Sequence, residues 1–145
     1  MDFDDFLASK YPALFLVLIN ALIYMLDYKI KNYFGLILVF FGAFAYFYNL
    51  IVMGKFWSIK VEKKKGLVAG GFFKYIRHPL YLGCALACFG AIIMSYNLWL
   101  ALLFVFADLP FIYLRSKYEE KILIKSLKSY KEYMKKTWMF IPKII

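Results

Sequence analysis

The sequence predicts an all-α fold, a polytopic membrane bundle of about four transmembrane helices with a cytoplasmic C-terminal amphipathic helix. Three observations carry this expectation. Of the 145 residues, 64% are hydrophobic and 22% aromatic, against about 45–50% apolar in a soluble domain. The apolar residues gather in four stretches, most of them near the ~20 residues that a helix needs to cross the hydrocarbon core. The formal net charge of +10 is concentrated between and after these stretches. A soluble chain of this length could not cover so much apolar surface, so lipid is the expected solvent. The length suits one membrane domain, 1–145.

The elements follow in order. Spans are expected at about 12–27, 33–53, 76–96 and 98–114. The first is short and leans on Tyr11 and Tyr28 as interfacial anchors. Strands are disfavoured, because the stretches lack period-2 alternation and lipid tolerates no open sheet edge. Asn97 marks a tight turn between the last two spans. The long link, 54–75, carries Lys55, Lys60, Lys63, Lys64, Lys65 and Lys74, and the tail, 115–145, is also basic. With four spans, link and tail share a side that has many more lysines than the other, which has Lys29 and Lys31. The positive-inside rule then places the link, the tail and both termini in the cytoplasm. Charge beside apolar spans favours anionic headgroups as partners over nucleic acid. The acidic start, Asp2, Asp4 and Asp5, is unlike the basic opening of a cleavable leader, and none is expected. In the tail, Ile122, Leu123, Leu127, Tyr130 and Met134 recur at helical spacing with lysines between them, the pattern of an amphipathic helix.

Within the third span, Gly83, Ala87 and Ala91 lie four apart, a spacing that lets membrane helices approach closely. Cys84 and Cys88 share a face and read as packing residues with free thiols. With a single histidine in the chain, no metal site is expected.

The densest polar cluster straddles the start of that span. Gly66, Gly70 and Gly71 permit close backbone approaches. Pro79 suits a first helical turn, and Tyr81 falls one turn after His78. Read plainly, this is an interfacial anchor with Arg77 snorkelling to the headgroups. Arg115, Glu119 and Glu120 form a second cluster just past the fourth span. Their plain reading is an exposed ion pair, but adjacent acids in a basic tail also suit a cationic ligand. Asp108, ahead of Pro110, is an ionisable group at membrane depth. It is either a functional group or part of a proline kink.

The order of these clusters resembles the isoprenylcysteine carboxyl methyltransferases and their phospholipid methyltransferase relatives. The shared pattern is Gly66-Leu67-Val68, then Arg77-His78-Pro79-Leu80-Tyr81-Leu82-Gly83, Arg115, Glu119-Glu120, Tyr130-Lys131-Glu132-Tyr133 and Phe140-Ile141-Pro142-Lys143. It covers roughly the C-terminal 80 residues. One departure is Leu127, where family members often carry glycine. The resemblance implies S-adenosylmethionine bound at the cytoplasmic face. It marks Gly66, Leu67, Val68, Gly71, Tyr75, His78, Pro79, Tyr81, Gly83, Glu119 and Glu120 as cofactor-binding residues. Arg115, or Arg77, would orient an anionic acceptor.

Membrane sterol reductases that bind NADPH resemble the same stretch, and a non-enzymatic membrane scaffold is a third possibility. The short chain and the Glu119-Glu120 pair favour the methyltransferase. The expected acceptor partitions into lipid: a prenylated cysteine carboxylate, a phospholipid amine or an isoprenoid. Oligomeric state is open.

Overall fold

A computed structural model describes residues 3–26, 29–54 and 67–142. Gly66, most of the 54–75 link, Asp27, Tyr28 and residues 143–145 lie outside this set. The described residues form helices and no strand beyond a single bridge. In chain order the helices are α1 (Phe3–Ala8), α2 (Tyr11–Leu26), α3 (Tyr33–Met53), α4 (Pro79–Ser95), α5 (Leu98–Leu103), α6 (Leu109–Ser126) and α7 (Tyr130–Lys136). A π-helical turn, Phe104–Asp108, joins α5 to α6, so that Leu98–Ser126 is one helix of 29 residues. By length and composition, α3 and Leu98–Ser126 suffice to cross a membrane, while α2 and α4 are apolar but shorter.

The surface is inverted relative to a water-soluble bundle. Phe15, Leu18, Phe40, Ile51, Trp99 and Phe106 point outward, each more than half exposed, whereas Asn49, Ser95 and Ser116 are fully buried. Large apolar groups outside and small or polar groups inside is the distribution that hydrocarbon solvent favours.

The tightest contact pairs α3 with α4, antiparallel. A β-carbon on Gly42 would lie 2.4 Å from the Ala87 amide nitrogen and 2.7 Å from the Gly83 carbonyl oxygen. One on Gly35 would lie 2.2 Å from the Met94 nitrogen. From the other side, a β-carbon on Gly90 would press on Val39 at 2.6 Å. The backbones touch because the glycines leave room. Gly83 and Ala87 of the expected stripe lie in this contact, and Gly90 and Met94 extend it, against a matching line of Gly35 and Gly42.

At the end away from the link, the two short turns hold each other. The Lys31 and Asn32 amides donate to the Met94 carbonyl at 2.8 and 3.1 Å. Asn32 also donates to the Tyr96 hydroxyl at 2.6 Å. Tyr96 takes a positive φ of 51° to reverse the chain. Asn97 then caps α5 by accepting from the Leu100 amide at 3.1 Å.

Several boundaries differ from expectation. The third span starts at Pro79, not at 76, because Pro79 disfavours helical geometry in the residue before it. Ile76, Arg77 and His78 stay outside the helix instead and pair with the tail, Ile76 through a single bridge to Trp138: Arg77 and His78 donate to the Trp138 and Met139 carbonyls, and Trp138 donates back to Tyr75. The helix that holds the fourth expected span continues past 114 to Ser126. The single tail helix is broken at Leu127 (φ −128°, ψ 109°) before α7 begins. Leu127 is in extended geometry that any residue adopts, so the turn forms without the glycine common in the resembling family. The π turn arises at Pro110, which lacks an amide hydrogen and crowds the carbonyl four residues back. The Leu109 amide consequently bonds five residues back, to Phe104.

Replacing Gly42 with valine should destabilise the bundle by about 3 kcal/mol, the upper part of the usual overpacking range. Gly70→Ala, whose added carbon meets only a Val52 methyl at 3.8 Å, should be close to neutral. Thermal unfolding in mild detergent, followed by circular dichroism, compares the two.

Candidate active site

The site forms where the link end of the bundle meets the tail. Pro79 opens α4, so its first turn presents His78 and Tyr81 on one face; their rings stack at 5.7 Å and 19°. Phe140, from the tail, lies over His78 at 5.8 Å. α6 brings Glu119 and Glu120 against the same histidine, which is 5% exposed. Nδ1 is 3.6 Å from a Glu119 oxygen. Nε2 is 3.4 Å from Glu120 Oε1 but out of line for a hydrogen bond, which leaves Nε2 buried without a partner.

Arg77 is the fastener. Its Nε donates to Glu120 Oε1 at 2.6 Å, and Nη1 donates to the carbonyls of Thr137 and Met134. One side chain thus ties the segment before α4 to α6 and to the end of α7. Burial alone would raise the Glu120 carboxyl, but the adjacent His78 and Arg77 outweigh it and hold the group below its ordinary value. Tyr133 donates to the Phe73 carbonyl at 2.5 Å. Burial, with help from Glu120, pushes its hydroxyl up to about 12, so it remains a donor. Tyr130, 2% exposed, is raised by burial and by Glu120 and Glu119.

Arg115 performs a second fastening. Nε donates to the Tyr81 hydroxyl at 3.1 Å, and Nη1 donates to the carbonyls of Leu7 and Ser9 at 2.9 and 2.8 Å. This pins α1 over the site. Nothing in the sequence reading anticipated α1; its one signal is a short apolar-acidic run before Pro12.

These elements enclose a cavity of about 170 Å³. Among the expected site residues, Leu67, Val68, His78, Tyr81, Glu119 and Arg115 line it. Gly71, Tyr75, Pro79, Gly83 and Glu120 are not on its wall. Gly71 holds a positive φ of 56° against Tyr48 and Val52. Tyr75 is exposed beneath Lys74, Pro79 starts α4, Gly83 meets α3, and Glu120 is engaged by Arg77. Gly66 lies outside the described residues. Arg77 also reaches the cavity wall, though its hydrogen bonds bind protein, not open space. The sequence reading missed Ala13, Tyr46 and Met53, which close the cavity from α2 and α3. No local pattern marks them, since only the packing of α3 on α4 brings them there.

Removing Arg77 as Arg77→Met leaves Glu120 buried with only His78 beside it, and should cost about 3 kcal/mol, the lower part of the range for breaking a buried pair. A carboxyl depressed on folding stabilises above its unfolded value, about 4.3, and that contribution is lost as pH falls through the folded value. Unfolding of the detergent-purified protein from pH 7 down to pH 3 should therefore show an acid-labile component that is reduced, though not abolished, in the variant, because His78 still faces the carboxyl.

No curated protein and no solved structure matches the chain. The isoprenylcysteine carboxyl methyltransferase family model matches residues 35–125, more than half of the chain and a segment that contains the glycine contact, the Arg77–Gly83 stretch and the Glu119-Glu120 pair. With that match laid over a buried cluster of the same residues, the chain belongs to the isoprenylcysteine carboxyl methyltransferase family, a family of membrane methyltransferases.

Proposed function

We propose that the chain transfers a methyl group from S-adenosylmethionine to a lipophilic acceptor in this cavity, on the cytoplasmic side of a four-span bundle. One observation carries the reading: His78, Tyr81 and Glu119, brought from two helices, converge on a single cavity whose other walls are mostly apolar. α2 and α4 complete the four spans beside α3 and Leu98–Ser126. The end of α6, with α7, forms the amphipathic rim. Lys74, Lys117, Lys121, Lys125, Lys131 and Lys135 all lie at the cavity's end of the chain path, the distribution expected of a cytoplasmic face.

The residues fit the cofactor. It carries an ammonium, a sulfonium, ribose hydroxyls and an adenine. Glu119 offers a carboxylate to the cationic or hydroxyl groups. His78, on the cavity wall between Glu119 and Phe140, offers its ring to the adenine or the amino-acid end of the ligand. Tyr81, Tyr130, Tyr133 and Phe73 supply π faces for a cation or the adenine. When bound, S-adenosylmethionine supplies a methyl carbon already activated by a positively charged sulfur. The chain's own part is alignment and exclusion of water. Arg115 brings a buried positive charge to the cavity wall, where it orients an anionic acceptor such as a carboxylate. Tyr46, Met53 and Leu80 keep the reacting region dry. Arg77 and Glu120 act through His78, holding its ring in place.

Calorimetry on the detergent-purified protein tests the reading, with S-adenosylmethionine and NADPH titrated separately. S-adenosylmethionine should bind. Glu119→Ala and His78→Ala should each weaken binding roughly tenfold or more, as loss of one charge-assisted hydrogen bond implies. Binding of NADPH alone would replace the methyltransferase with a reductase.

A further inference from the structure

α1 has six residues, too few to hold a helix in water alone, so its shape depends on what it docks against. Leu7 is buried, at 4% exposure, and α1 packs chiefly on α6. The last turn of a helix leaves carbonyls that need partners. Ser9 meets two of them: its amide bonds the Asp5 and Phe6 carbonyls at 3.0 and 3.2 Å, and its hydroxyl donates to the Phe6 carbonyl at 3.0 Å. Arg115 takes the next, donating from Nη1 to the Leu7 and Ser9 carbonyls, which places its positive charge at the negative end of the short helix. Only Ser9 and Lys10 separate α1 from α2. α2 is fixed in turn where Asn20 donates through Nδ2 to both carboxylate oxygens of Asp108, at 3.2 and 3.1 Å. α1 lies outside residues 35–125, the part that the family model matches.

The same contacts orient Arg115. The Phe111 ring, one turn back on α6, lies 5.7 Å from the guanidinium carbon and supports its flat face. α1 holds one corner, Nη1. Nε is turned to the Tyr81 hydroxyl at 3.1 Å, and Tyr81 stands on the cavity wall. A planar fork recognises a carboxylate only in a defined orientation, and a long side chain held at its base alone loses that orientation to rotamer freedom. Resting on the methyl-transfer reading above, in which Arg115 orients an anionic acceptor, we propose that α1 is a working part of the acceptor site: the carbonyls at its end set the guanidinium so that the Nε side serves the cavity. Leu7 and Ser9 are positioning residues, Leu7 through the burial that docks the helix and Ser9 through its cap and its carbonyl. Because α1 and the anion hold different sides of one guanidinium, their binding is cooperative. An anion in the cavity firms α1, and a docked α1 tightens the anion, by the same factor. An anion that took the place of the α1 carbonyls would give the opposite sign.

The test uses the full chain in lipid nanodiscs, with N-acetyl-S-farnesylcysteine as an anionic probe and its carboxamide as the neutral match. Hydrogen exchange of the amides of residues 5–9, read by mass spectrometry, reports the docking of α1. Exchange there should slow with the carboxylate and not with the carboxamide. Leu7→Ser, which loosens the dock, should weaken binding of the carboxylate roughly tenfold, the loss that one charge-assisted hydrogen bond represents, and erase the preference between the probes. S-adenosylmethionine should still bind this variant, as calorimetry on the same samples shows. Leu7→Met, which keeps the apolar volume, should restore the preference. Faster exchange with the carboxylate, equal exchange with both probes, or a carboxylate preference that survives in Leu7→Ser overturns the proposal. So does loss of both ligands in Leu7→Ser, the result of a merely structural role. The two readings fail separately. Carboxylate-selective protection of α1 without S-adenosylmethionine binding to the native chain keeps the role of α1 and sinks methyl transfer, whereas cofactor binding without that protection sinks the role of α1 alone.

Discussion

The backbone contact of α3 with α4 sets the geometry of everything around it. In hydrocarbon, apolar side chains gain nothing by leaving lipid for each other, so helices associate through close packing and hydrogen bonds. Gly35, Gly42, Gly83 and Gly90 supply the first. With α4 held against α3, its first turn has one position, and His78 and Tyr81 are delivered to the bundle end beside Met53 and Tyr46. The two arginines then build outward from that fixed turn. Arg77 gathers the tail and α6, and Arg115 gathers α1 and Tyr81. Each is satisfied by carbonyls or a carboxylate, so neither charge is buried without compensation.

Much of this was legible in the sequence because composition and period survive any change of tertiary detail. The apolar stretch 33–53 coincides with the helix α3 at both ends, and Asn97 sits at the expected turn, capping α5. The His78–Tyr81 stack follows from helical spacing once Pro79 begins the helix. Family membership was legible too, carried by Arg77 to Gly83 and by Glu119-Glu120. The misses have physical causes. Heptad-spaced glycines on α3 were overlooked because a stripe is meaningful only opposite its partner. The segment before Pro79 was absorbed into a span because Ile76 is apolar and its pairing partner, Trp138, is over sixty residues away. α1 and the break at Leu127 depend on tertiary hydrogen bonds that leave no local period.

The two polar centres divide the labour of the long helix. Near Arg115 and Glu120, polar groups face a cavity wall or each other at the bundle end. Asp108, buried in the bundle, is tied instead to Asn20 of α2. The π turn lies between α5 and α6 and shifts the phase of the helix by one residue. That shift keeps Leu102 and Leu103 on the α2 side while Asp108 and Arg115 also face inward. A continuous α-helix would have to give up one of these alignments.

Pairing of the segment before α4 with Trp138 and Met139 has a consequence for biosynthesis. Chains emerge from the ribosome from the N-terminus onward, and the glycine-packed hairpin of α3 and α4 is complete in sequence well before residue 137 appears. Insertion into the bilayer therefore precedes assembly of the site. Until Thr137, Trp138 and Met139 are available, Arg77 has only part of its hydrogen-bonding set and His78 has no Phe140 over its ring. A nascent chain thus holds its glycine-packed hairpin before it acquires the geometry for chemistry, with the segment from Thr137 to Phe140 serving as the closing latch.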